Sequence, residues 1–306
     1  MTKFTTAVTA FAVAGTCCAV PLNAQGTVPG GGSIRGWNAL DSALGRKGAA
    51  QPGEVMKYSF PRSDLDVTAN GVKLKPAFAL GSWIAFKRVG RNTMAMGDLV
   101  LVEDEVGTVM TRLQTGGVEQ TALHNHVLGE SPRVMYLHIS AHGDEVKIAR
   151  TIREALALTG TPLATPSAAG IAAIDLDTAA VANALGYRGK VGGGVYQVSV
   201  PRAQTIVENK MEVPASMGLA TVINFQPTGG GKAAITGDFV MTAGEVNRVI
   251  RALQAHRIQT TALHTHMLTE SPRLFFMHFW ANDNAVTLAR GLRAALAEMR
   301  VQPAAR

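Results

Sequence analysis

TALHNHVLGESPRVMYLH at residues 121–138 returns 140 residues later as TALHTHMLTESPRLFFMH at residues 261–278, and eleven of the eighteen positions are identical. Both flanks, TALHNHV and RVMYLHI, are dense in apolar, aromatic and β-branched residues, and LGESP between them supplies Gly, Ser and Pro. The stretch is therefore predicted to form two antiparallel strands joined by a short loop. Alternation of side chains puts His124 and His126 on one face, about 7 Å apart at roughly 3.3 Å per residue. Folding the hairpin about Glu130 brings His138 to the neighbouring strand, diagonal to His124 and on the same face.

The second copy repeats the residue types at the same spacing in His264, His266, Glu270 and His278. Three imidazoles beside a carboxylate suit Zn, Cu, Mn, Fe or Ni, so His124, His126, Glu130 and His138, with their four counterparts, are the candidate metal ligands, one site in each repeat. Histidines merely buried in a core without partners would each cost about 1–3 kcal/mol, which weighs for a ligand role. Two other functions use the same residues. One is a metal-free groove for a cell-envelope glycan or peptide. The other is a hydrolase or oxidoreductase whose open coordination position activates water or substrate, with Glu130 as acid or base if it is not a ligand. The His-x-His-x3-Glu order resembles the first cupin motif, but no Pro-x-Gly-x2-His stretch follows, and only the ligand analogy carries over.

Outward from the hairpin, the pattern predicts an α+β fold in two tandem copies, residues 35–158 and 174–300, with a linker at 159–173 containing TGTPLATPSAAG. Each copy opens with a helix and several strands. Val106, Val109, Met110 and Leu113 then recur at helical spacing, as do Val246, Val249, Ile250 and Leu253. Thr242 and Glu245 have capping-box spacing, so Glu105 and Glu245 are helix-start residues. After each hairpin a second amphipathic helix follows, through Ile152 and Leu156 and through Leu292 and Leu296. Strand, helix, hairpin, helix is the order of a mostly antiparallel sheet with helices on one face, which leaves the other face for the histidines.

Asp98 and Asp238, each after a Gly, are candidate acceptors that would hold a ligating His through its other ring nitrogen, although a turn or strand-bend role is the preferred reading. Arg133 and Arg273 stand close enough in the loop to pair with Glu130 and Glu270, the preferred reading, or to meet an anionic ligand beside the candidate site. His142 and His256 lack counterparts and are expected at the surface. The Gly runs 192–194 and 229–231 have no strand–helix context of a phosphate loop and are expected to be hairpin turns.

The first 24 residues, with Lys3, an apolar run and Leu22-Asn23-Ala24, have the form of an export signal cleaved after Ala24. Residues 25–34 form a flexible leader. Cys17 and Cys18 are the only cysteines in the 306-residue chain and lie inside the signal, so the mature protein would have no disulfide or thiol chemistry. A periplasmic or secreted location is expected, and no transmembrane helix is expected in the mature chain. Net charge is +7, without a Lys/Arg cluster or aromatic-basic pattern, so nucleic acid is not an expected partner; a cell-envelope polymer or small molecule is.

LGRKG, VLVEDEV, TALHNHVLGESPRVMYLHIS, INFQPTGGG and TALHTHMLTESPRLFFMHFWAND together give the chain a resemblance to the bacterial lppY/lpqO-type lipoprotein family, a domain of unknown function. The resemblance covers nearly all of the mature chain. It implies an exported envelope protein and supplies no catalytic residues. The segment before Cys17, Ala14-Gly15-Thr16, departs from a lipid-attachment motif.

Overall fold

Leu137, Ile139 and Ala141 alternate with Tyr136, His138 and Ser140 along one strand, and this alternation divides the fold into an outer and an inner face. The computed structural model describes residues 1–2, 36–164 and 173–304. The export signal, both cysteines, the leader and residues 165–172 of the linker lie outside the described residues.

In the first repeat the chain runs α1 (Asn38–Leu44), β1 (Ala49–Gln51), β2 (Val55–Pro61), the short β3 (Thr68–Ala69) and β4 (Val72–Lys73), and α2 (Pro76–Ala79). It continues with β5 (Gly81–Val89), β6 (Asn92–Val102), α3 (Glu103–Thr115), β7 (Glu119–His124), β8 (Glu130–Ser131), β9 (Val134–Gly143) and α4 (Glu145–Leu156). The second repeat runs α5 (Thr178–Leu185), β10 (Lys190–Gly192), β11 (Val195–Pro201), β12 (Val207–Glu208), β13 (Met211–Glu212) and a 3-10 turn at Ala215–Met217. Then come β14 (Ala220–Gly229), β15 (Lys232–Thr242), α6 (Ala243–Ala255), β16 (Gln259–His264), β17 (Leu274–Asn284) and α7 (Ala285–Ala297). The two large antiparallel sheets have matching orders, β1-β2-β5-β6-β9-β7 and β10-β11-β14-β15-β17-β16. The fold is α+β.

On the outer face of the first sheet, Tyr58, Phe60, Ile84, Phe86, Leu99 and Leu137 pack against Leu40 and Leu44 of α1, Val109 and Leu113 of α3, and Ile152 and Leu156 of α4. Each such side chain contributes about 1.5–3 kcal/mol by leaving water. The second repeat builds the same layer with α5, α6 and α7. Asp144 starts α4 by accepting from the Lys147 amide at 2.7 Å, and Asn284 starts α7 by accepting from Thr287 at 3.0 Å. Among the described residues no helix is long and apolar enough to cross a membrane.

The inner faces are not open to solvent, because the sheets cover one another. Val55, Met94 and Met96 of the first repeat share a core with Met217, Val240 and Phe276 of the second. Conversely, Phe78, Val100 and Tyr136 share one with Val195, Ala234 and Trp280. Two exchanged arms reinforce this. Helix α2 packs on β14 and β15, with Phe78 edge-on to Trp280 at 6.0 Å, while the 3-10 turn of the second repeat packs on β5. Gln226 grips the first arm twice, accepting from the Lys75 amide and donating to the Lys73 carbonyl, both at 2.8 Å.

Each arm begins at a buried arginine. Arg62 Nη1 donates to Glu105 at 2.7 Å and to the Val100 carbonyl at 2.7 Å. Arg202 repeats this with Glu245 at 2.8 Å and Val240 at 2.7 Å. The same glutamates accept from the Val102 and Thr242 amides at the starts of α3 and α6. The helix-start reading of Glu105 and Glu245 thus captures half of their work; tying the arm to the helix is the other half.

Candidate metal centre

Strands β7 and β9 pair with Ala122 opposite His138 and His124 opposite Tyr136, the register obtained by folding about Glu130. In the second repeat Ala262 lies opposite His278 and His264 opposite Phe276. His124 and His138 therefore leave one face, with rings 5.1 Å apart. His126 corrects the simple strand picture. Strand β7 ends at His124, so His126 sits in the following bend, and its ring lies 5.2 Å from that of His124.

A larger difference concerns how the histidines group. The two hairpins face one another, and the six histidines form one cluster instead of one set per repeat. The ring centroids of His124 and His264 are 3.6 Å apart, those of His138 and His266 3.6 Å, and those of His126 and His278 3.8 Å. Every one of these contacts joins the two repeats, and the last two exchange places under a pseudo-twofold axis. Ring nitrogens of His124, His264, His266 and His278 lie within 4.8 Å of one another, a grouping that could hold a metal ion. Tyr136 caps the cluster over His126 at 3.2 Å, and Phe276 does the same over His266 at 3.5 Å.

Two threonines clamp the seam. A bulge falls at Thr121 in β7 and at Thr261 in β16, breaking the ladder there. Thr121 Oγ1 donates to the His266 carbonyl at 2.6 Å, and Thr261 Oγ1 donates to the His126 carbonyl at 2.5 Å. These residues open the repeated TALH motif, and that repetition was the signal available for them.

Three of the imidazoles are oriented by backbone carbonyls. His278 Nδ1 lies 2.7 Å from the Gly237 carbonyl, His124 Nδ1 3.2 Å from the Asn125 carbonyl and His264 Nδ1 3.4 Å from the Thr265 carbonyl. Each such contact places the proton on Nδ1 and leaves the Nε2 lone pair free. In all six histidines Nε2 is buried and has no hydrogen-bond partner among the described residues. Burial, and next the neighbouring imidazoles, depress their basicity: His124 falls to about 3, and His126, His138, His266 and His278 lie well below the ordinary value. Burial takes His264 to about 4. The rings are neutral donors at neutral pH.

Asp98 and Asp238 stand mid-strand in β6 and β15, opposite His138 and His278, and not in a turn or strand bend. Asp98 Oδ2 is 4.0 Å from His126 Nε2 and its Oδ1 3.9 Å from His138 Nε2; Asp238 Oδ2 is 3.6 Å from His266 Nε2. Burial raises Asp98 to about 7, with Lys57 pulling it down, and raises Asp238 well above the carboxylate range, with Asp98 adding to the rise. Glycine precedes each because the backbone is crowded there: a Cβ on Gly237 would lie 1.9 Å from the Val222 carbonyl oxygen.

Glu130 and Glu270 hold the loop. Glu130 accepts from the Val134 amide at 3.2 Å, and Glu270 from the Leu274 amide at 2.9 Å and from Arg273 at 3.3 Å. Neither belongs to the grouped ring nitrogens. Arg133, unlike Arg273, turns to Glu103 at 3.5 Å. His142 and His256 are exposed, and Gly193 and Gly230 lie in hairpin turns.

Beside the cluster is a cavity of about 440 Å³. His126, His138, His266, His278 and both aspartates line it. Its remaining wall carries Lys57 and Trp83 from the first repeat and Gln197, Asn224 and Thr236 from the second, none of which the motif search singled out as a site residue. They lie outside the repeated motif, and no signal in the sequence marks them.

Two solved structures give weak overall matches that carry no argument. A trimeric bacterial microcompartment shell protein, PduB, is 12% identical over 82% of this chain and 89% of its own, with a TM-score of 0.23. EtuB from Clostridium kluyveri is 10% identical over 84% of this chain and 95% of its own, with a TM-score of 0.20. No curated protein matches. The sequence profile of one family matches twice, at residues 38–158 and 179–298, and the chain therefore belongs to the family described as Domain of Unknown Function (DUF1259).

Proposed function

We propose that this chain is a transition-metal-binding protein whose single centre is assembled from both repeats. The carrying observation is the set of six buried Nε2 atoms without partners at one seam. Leaving each unsatisfied costs about 1–3 kcal/mol, so together they cost on the order of the whole net stability of a domain. A cation bound among His124, His264, His266 and His278, whose ring nitrogens lie within 4.8 Å of one another, would remove that cost for these four. Nδ1 contacts to backbone carbonyls at His124, His264 and His278 are the supporting shell that ligating imidazoles require. Nitrogen donors with the Asp98 and Asp238 oxygens close by suit Zn, Cu, Ni, Fe or Mn.

Elemental analysis of the purified chain, after reconstitution with each metal in turn, tests the reading. Stoichiometric metal is expected in the parent, and His264→Ala alone should remove at least nine-tenths of it, because the centre draws on both repeats (about 1.4 kcal/mol per tenfold in affinity). Half retention would mean two independent sites, and a metal-free parent would overturn the proposal. We also infer a periplasmic or secreted location, supported by the form of residues 1–24; a chain beginning near Gln25 in envelope fractions is the expected result, and an intact Met1 terminus in the cytoplasm would refute it.

A further inference from the structure

The residues of the imidazole cluster are the same in both repeats, whereas those of the adjoining cavity are not. Trp83 stands opposite Asp98, and Val222 stands opposite Asp238. Lys57 is opposite Ala85, which is opposite Met96; the equivalent row in the second repeat is Gln197, Asn224 and Thr236. One wall is thus cationic and aromatic, and the other is built of amides and a hydroxyl. A cluster of matched histidines facing an asymmetric cavity accepts its ligand in one orientation.

Two polar groups of this cavity make no direct hydrogen bond among the described residues, although Lys57 acts electrostatically on Asp98. Lys57 Nζ sits 3.9 Å over the Trp83 ring and has no hydrogen-bond or ion-pair partner among the described residues. It is the only Lys or Arg in the lining. Thr236 is buried, and its Oγ1 has no partner. Gln197 donates to Asn224 Oδ1 at 2.8 Å, fixing the orientation of the Asn224 amide. Phe78, Pro76 and the face of the first arm supply apolar surface between the two walls. A lone ammonium matches one carboxylate, while a polyanion such as phosphate would call for several cations or a bidentate arginine. A second negative charge would also meet Asp98 and Asp238. The volume falls in the range of sites for small organic molecules.

We propose that this cavity binds a small hydroxylated monocarboxylate of the sugar-acid kind, with its carboxylate against Lys57 and its hydroxyls against Gln197, Asn224 and Thr236. The bound molecule lies beside His126 and His278, and in that respect the inference rests on the metal-centre reading, whereas the Lys57 contact does not require a metal. The chemistry thus gives the centre a substrate class.

Calorimetric titration of the full chain with gluconate and with sorbitol isolates the carboxylate, because sorbitol carries a CH₂OH in its place. Gluconate is expected to bind at least about tenfold more tightly than sorbitol. Lys57→Met, which keeps the stem and removes the charge, should lose that preference, and Asn224→Asp, which sets a carboxylate on the opposite wall, should weaken gluconate more than sorbitol. Circular dichroism and elemental analysis on the same samples establish that both variants fold and whether metal is present. Lys57-dependent gluconate binding to a metal-free parent would support the cavity inference while refuting the metal centre. Equal binding of the two probes, no binding of gluconate, or an unchanged preference in folded Lys57→Met would overturn the cavity inference.

Discussion

The two repeats bring the same polar residues to the histidine cluster and differ in the apolar cores and cavity walls around it. Histidines, the aspartates behind them and the clamping threonines are shared, and the threonine clamps are reciprocal, although His278 turns Nδ1 to the Gly237 carbonyl and to Asp238 where His138 turns Nε2 to Asp98. By contrast Tyr136 is matched by Phe276, Lys57 by Gln197, and Glu130 is partly exposed where Glu270 is buried against Arg273. Burial takes Glu130 to about 7, with the Val134 amide opposing the rise. The difference teaches that the pair of hairpins behaves as one object. A residue at the axis contacts its own counterpart, so a change in one repeat is felt by both, while residues on the cavity walls face unlike neighbours and are free to specialise.

The largest test of this comparison concerns the arms. Arg202→Met strands Glu245, whose side chain is only 4% exposed, and should cost about 3–5 kcal/mol in urea unfolding. Arg62→Met strands Glu105 and Asp64, which are 12% and 24% exposed, and should cost measurably less because water can reach both carboxylates. Equal losses would mean that the two anchors are equivalent despite their different hydration.

At the seam the opposite outcome is expected. Thr121→Val and Thr261→Val each remove one hydroxyl donor from a carbonyl of the other repeat and should each cost about 1 kcal/mol, equally. The same unfolding measurement checks this, and a difference well beyond 1 kcal/mol would break the symmetry argued from geometry.

The smallest effect is the pH dependence of the metal-free chain. The six imidazoles have folded values below their unfolded ones, so their contribution to stability is fully present above about pH 6.5 and is lost as pH falls toward about 4 and 3, the values of His264 and His124. Asp98, Glu130, Glu208 and Asp238 are raised by burial and act in the opposite sense, losing stability as pH rises through their folded values. His142, also lowered by burial, adds to the imidazole side, and a net fall in the thermal midpoint is expected between pH 7 and pH 4. His124→Ala should make that fall shallower; an unchanged slope would remove His124 from the account.

Much of this architecture is legible in the residues. Period-two alternation in RVMYLHI places His138 opposite the core side of its strand, and folding about Glu130 yields the observed pairing of His124 with Tyr136. Capping residues and apolar periodicity mark α3, α4, α6 and α7, because these signals act within one or two helical turns. The repeat itself implies two like sheets. What periodicity reports is the face from which a side chain leaves a strand, and it says nothing about what will pack on that face. His124 meets His264 across 140 residues only because two inner faces bury each other and two arms exchange. The bulge that turns Thr121 across the seam, the withdrawal of Glu130 and Glu270 into the loop, and the place of Lys57 beside the imidazoles follow from that docking. Burial of two apolar faces is a non-directional, whole-body term. It is settled by the assembled tertiary structure, not by any local stretch, and it is what made one centre out of two copied motifs.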